Sequence, residues 1–136
     1  MISASKNKYD QDKVWTDAAS ILDAVADFVE ERKPEKQDVT TVGEPNRITD
    51  PQRLGINYAC DERTADEMMK SVARATGFEE DEYASIAAMW EDTCLARVEL
   101  STYGFTVWAS DALLEHPRYG KVASEVWDRM WRRKCG

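Results

Sequence analysis

Residues able to do acid–base or nucleophilic chemistry are few in this chain of 136 residues. It holds one histidine, His116, and three cysteines, Cys60, Cys94 and Cys135. A Cys–His or Ser–His pair would have to use His116, because a weak nucleophile needs an adjacent base to activate it. His116 precedes Pro117 at a predicted helix end, where the helix dipole favours a surface or capping histidine. Cys94 lies on an apolar stripe and reads as a small core residue, while Cys135 is next to last. The cysteines are far apart and form no CxxC, so neither a disulfide framework nor a zinc site is expected. GxGxxG, GxxxxGK[ST] and calcium-loop patterns are all missing from the sequence. The sequence therefore assigns no catalytic residue, no cofactor and no metal ligand.

Carboxylates are the one foothold for catalysis. Glu79-x-x-Glu82 and Glu125-x-x-Asp128 each place two carboxylates three residues apart, on one face of a helix. If the two pairs faced each other, they would hold Mg²⁺ between acidic oxygens and substrate phosphates. The pairs are similar to the ExxE and ExxD pairs of all-α nucleotide pyrophosphohydrolases of the MazG type, although the sequence around them does not follow that family. The alternative function this implies is a Mg²⁺-dependent nucleotide hydrolase. With 26 acidic residues, pairs at this spacing also arise by chance.

Charge is the broader signal. The chain carries 18 basic and 26 acidic side chains, for a formal net charge of −8. Residues 61–115 hold four basic and 13 acidic groups, while residues 116–136 hold six and two. Asp61, Glu62, Asp66 and Glu67 open one predicted helix; Glu79, Glu80, Asp81 and Glu82 open the next, followed by Glu91 and Asp92. Anions at helix N-termini are stabilising in their own right. Their excess repels itself, however, and a basic partner would relieve it. Direct binding of nucleic acid would work against phosphate repulsion. Five tryptophans are more than a core of this size needs, and Trp108 and Trp131 are the candidate interface anchors.

The elements follow from periodicity. Apolar residues at spacings of three and four predict a helix over 11–32, and Pro34 follows its end. Residues 1–10 read as a loose terminus, and 33–50 as an irregular segment with room for a short strand at Val39–Val42. Asp50-Pro51 signals a short helix to about Tyr58. Asp61 or Thr64 begins the next helix, over 62–76 and closed by Gly77; Thr64-x-x-Glu67 matches a capping box. Tyr83, Ile86, Ala87, Trp90, Cys94 and Val98 then form a helical stripe. Leu95, Val98, Thr102, Phe105, Ala109 and Ala112 continue it to His116, with a break near Gly104. The stretch around Gly104 is also rich in β-formers, so a hairpin at 98–108 is the alternative. A last helix is expected over 118–134.

These readings predict an all-α compact bundle of five to six helices, forming a single domain over 11–136; the alternative is α+β. No stretch reaches the ~20 apolar residues of a membrane span, and the first residues lack the apolar core of a secretory signal. The cytoplasm is the expected compartment. The expected function is non-catalytic: an inhibitor or immunity-type protein, of the kind phages and mobile elements carry, that occupies a basic nucleic-acid-binding surface of another protein. A phage assembly factor or homo-oligomer, such as a homodimer, is the further alternative.

Overall fold

The computed structural model describes residues 2–42, 52–80, 84–90 and 93–131, with the backbone alone at 2–12 and at Trp90. In chain order the elements are α1 (Ile2–Arg32), β1 (Glu35–Val42), β2 (Arg53–Ala59), α2 (Glu62–Thr76), β3 (Ser85–Trp90), β4 (Thr93–Ser101), β5 (Gly104–Ser110), α3 (Asp111–Leu114) and α4 (Gly120–Trp131). The strands form one antiparallel sheet in the order β1-β2-β5-β4-β3. This is an α+β fold and overturns the all-α expectation. The hairpin alternative fits, and it is larger than expected: β4 and β5 pair from Ala96↔Ala109 to Ser101↔Gly104.

The reason lies in a second periodicity. Ala96, Val98 and Leu100 alternate with Arg97 and Glu99, and Phe105, Val107 and Ala109 alternate with Thr106 and Trp108. Successive side chains of a strand point to opposite faces, so this alternation builds one apolar face. Leu54, Ile56 and Tyr58 do the same in β2, which replaces the helix expected from Pro51 to Tyr58. The expected helix from Glu79 is instead β3 and the start of β4, which pair antiparallel. In so apolar a stretch, contacts three and four apart exist alongside the period of two. Pairing with β5 on one side of β4 and β3 on the other settles the choice, because it satisfies the backbone hydrogen bonds of β4 on both sides.

Phe105, Val107, Ala109, Ile56, Tyr58, Val98 and Ile86 supply the sheet's share of the core. Against them lies α1, whose Ala18, Ile21, Leu22, Val25 and Val29 are essentially fully buried. The rings of Phe28 and Phe105 meet edge-on at 6.4 Å. α2 and α4 both pack against α1. α1 ends where Lys33 turns left-handed (φ 51°) and donates its N–H to Val29 O at 2.9 Å. α2 matches its expected span. Its N-cap is Asp61, which accepts from Thr64 N at 2.8 Å, and Gly77 (φ 77°) closes it. The expected Thr64–Glu67 capping box is not formed, because Asp61 takes the N-cap and Thr64 lies inside the first turn; Glu67 pairs with Arg32 at 2.6 Å. Part of the expected irregular segment is β1, and residues 43–51 lie outside the described residues. α4 covers less than the expected 118–134, and 132–136 are likewise outside.

Candidate binding surfaces

Among the described residues the helices cover one face of the sheet. On the other face, polar side chains are linked across three strands. Thr106 Oγ1 donates to Asn57 Oδ1 at 2.7 Å. Asn57 Nδ2 donates to Asp38 Oδ1 at 2.7 Å and to Thr40 Oγ1 at 3.1 Å. Beside this ladder Trp108 lies across Gly55, where an added Cβ would come within 2.7 Å of the indole. The indole Nε1 donates to Glu99 Oε1 at 2.9 Å, and Arg97 pairs with Glu99 Oε2 at 3.1 Å. Val42, Arg53, Cys94, Arg97, Glu99 and Trp108 line a depression of about 230 Å³ there. Burial pushes the Cys94 thiol up, against the lowering pull of Arg97 and Arg53.

The helical side carries the charge. Residues 13–33, 61–80 and 111–131 hold 15 acidic and nine basic side chains. The five strands hold three of each. Several acids are partnered within the chain. Arg129 reaches Asp23 at 3.6 Å, Asp27 at 3.4 Å and Glu30 at 2.7 Å. These ion pairs and hydrogen bonds hold the guanidinium's pKa above its ordinary value, with the Glu30 hydrogen bond contributing most. Asp66 pairs with Lys70 at 3.0 Å, which raises the lysine's pKa.

The expected partner-binding residues fall in four places. Asp61, Glu62, Asp66 and Glu67 line the first turns of α2; Asp61 and Glu67 also have structural work, as cap and as the partner of Arg32. Glu79 and Glu80 are exposed beyond the other end of α2, some 20 Å away at the helical rise. Asp81, Glu82, Glu91 and Asp92 lie outside the described residues. Trp108 is on the open sheet face, whereas Trp131 stacks on Trp127 at 5.7 Å in the helical layer. The two tryptophans therefore share no surface. Asp23, Asp27, Glu30 and Glu31 are acids the sequence reading left out; their spacing on the exposed face of α1 was visible in the sequence.

The catalytic groupings are also dispersed. His116 Nδ1 accepts from the backbone N–H of Arg118 and Tyr119 at 3.0 and 3.1 Å, so it caps the turn into α4. Its ring packs on Trp15 of α1 at 4.4 Å, on the helical side, while Cys94 faces the open side. Among the described residues no three His, Cys, Asp or Glu side chains group as metal ligands. Glu79, Glu125 and Asp128 are thus not assembled into one site, and Glu82 lies outside the described residues. No helix among the described residues is long and apolar enough to cross a membrane. Comparison with protein-family models, curated proteins and solved structures finds no match to this chain.

Proposed function

We propose that the protein is a non-catalytic binding module of the inhibitor or immunity type, whose acidic helical layer occupies a basic, nucleic-acid-binding surface of another protein. The observation that carries this reading is the segregation of charge: the strands are balanced, and the excess of six negative charges among the described residues belongs to the helical side. A one-sided field steers a partner of opposite sign and orients it before contact. Glu31, Glu62, Glu79, Glu80 and Glu125 are exposed and make no ion pair among the described residues, so their charge is available to a partner.

The test is capture by the tagged full-length chain from a nuclease-treated lysate of its host, across a salt series. The expected result is a basic, nucleic-acid-handling protein that is lost as salt rises and is displaced by duplex DNA. The variant Glu31→Lys/Glu62→Lys/Glu80→Lys should lose it at all salt concentrations. Recovery of the chain alone, or of a partner indifferent to salt and DNA, sinks the reading.

A further inference from the structure

We propose that the open face of the sheet holds a binding site for a small carboxylate with a flat apolar body, gripped by Arg53 and Arg97 against the indole of Trp108. This site is independent of the acidic layer, which lies on the other side of the sheet.

The fold builds the site on rigid parts. Arg97 and Trp108 are cross-strand partners in β4 and β5, and Gly55 faces Trp108 from β2. The absence of a Cβ at Gly55 lets the indole lie close against the backbone. Glu99 is a positioning residue: one carboxylate oxygen holds the indole N–H and the other holds the Arg97 guanidinium. Both partners are therefore set before a ligand arrives, which removes much of the ordering cost of binding.

The chemistry of the lining names the ligand. Arg53 is exposed and has no ion pair among the described residues, although it lines the same depression. The Nε of Arg97 is buried without an acceptor, so Glu99 does not complete this guanidinium's hydrogen bonding. Among the described residues, two guanidinium groups and one carboxylate leave one positive charge in the lining. That charge matches a monoanion. A planar carboxylate fits the fork of a guanidinium with two parallel hydrogen bonds. Val42 and the indole face supply apolar walls for a flat body. At about 230 Å³ the depression is smaller than the roughly 300–1,000 Å³ of sites for drug-sized ligands, so the ligand is small.

Benzoate is the probe, and the indole N–H resonance of Trp108 in the full-length protein is the readout, assigned with Trp108→Phe. Benzoate should move this resonance saturably. Benzamide lacks the charge, acetate lacks the ring and inorganic phosphate lacks the flat apolar body; each should bind about tenfold more weakly or worse. Arg53→Gln, a change at an exposed side chain, should weaken benzoate by about tenfold while the other resonances stay in place. Gly55→Ala, which pushes on the indole, should weaken it as well. The proposal is overturned if benzoate produces no saturable shift, if Arg53→Gln binds it as tightly as the parent, or if phosphate or benzamide matches it.

Discussion

Lys36 is tied to Met130 across 94 positions of sequence: its ammonium donates to Met130 O at 3.2 Å and to Trp131 O at 2.5 Å. The lysine sits in β1 and is only 5% exposed, a rare burial for this residue type. It satisfies two carbonyls of the last described turn of α4 with one buried cation. Lys36→Met keeps the stem and removes the donor. It should lower unfolding free energy by about 2 kcal/mol, the order expected when buried acceptors lose a charged donor. Urea denaturation checks this, and an unchanged midpoint would mean that solvent replaces the ammonium.

Asp61 offers a test by pH. Its carboxylate accepts from Thr64 at the start of α2, and this hydrogen bonding, more than the nearby Arg63 and Arg32, holds its pKa below the usual carboxylate value. A depressed pKa in the folded state stabilises the protein above the unfolded pKa. That contribution is lost as pH falls through the folded value. Asp61→Ala should therefore reduce the melting temperature at neutral pH and make little difference in strong acid. Asp61→Asn should keep most of the cap at both. Equal losses for Asp61→Ala at both pH values would refute the assignment.

Gly104 opens β5 with its backbone against that of Tyr58, and a Cβ there would run into the Tyr58 carbonyl oxygen. Unlike the far end of a flexible side chain, that oxygen is part of the paired β2 strand. Gly104→Ala should cost about 3 kcal/mol, the upper part of the range for overpacking. Denaturant titration reads it directly; a cost below half of this would show that β2 and β5 can slide apart.

Arg129 gathers three acids of α1, yet its side chain and theirs are more than a third exposed. Solvent screening holds such networks to less than about 1 kcal/mol. Arg129→Ala should destabilise slightly at low salt, mainly through repulsion among Asp23, Asp27 and Glu30. The difference should vanish near 1 M salt, where the Debye length is ~3 Å. A loss that persists at high salt would assign Arg129 a packing role instead.

The thiols of Cys60 and Cys94 both titrate above the ordinary range, chiefly through burial, with Asp61 adding to the effect at Cys60. The neutral thiol is thus favoured in the folded state, and the stability it brings is present below the unfolded pKa and lost as pH rises through the folded one. Alkylation of both sites should have a pH midpoint higher in the native protein than in urea. Coincident midpoints would contradict the burial of these thiols.

What the sequence disclosed differs by element. α1 from Gln11 onward and α2 were legible because Ile21, Leu22, Val25 and Val29, and Met68, Met69 and Val72, recur at helical spacing, with Asp61 and Gly77 marking the ends of α2; residues 2–10, expected as a loose terminus, are instead the first turns of α1. The strands were misread where alanine and methionine, good helix formers, fill positions such as Ala87, Ala88 and Met89. Their preference is decided by pairing partners: the Ala88 and Ala96 pairing in β3–β4, and the Val98 and Val107 pairing in β4–β5, are tertiary facts. The open-face site was hidden for the same reason. Arg53, Arg97 and Trp108 are 55 positions apart at their extremes and meet only through strand order. Glu79–Glu82, expected to open a helix, and Glu91 and Asp92, expected further along it, stand instead on either side of β3 in the sequence.

Strand order also sets a timetable for folding. β1 and β2 form one local pair, and β3, β4 and β5 form a local meander. Among the described residues the two halves of the sheet are hydrogen-bonded to each other where β2 meets β5, from Arg53↔Ser110 to Ala59↔Gly104. The central strand is thus the last strand to leave the ribosome, and β2 must wait with a bare edge until it arrives. Closing loops of this length before any contact rewards them makes the joining step slow relative to either half. The same seam makes the chain separable: a cut in the segment between α2 and β3 would leave two fragments whose reunion is the pairing of β2 with β5 together with the docking of α1 on β3, β4 and α4.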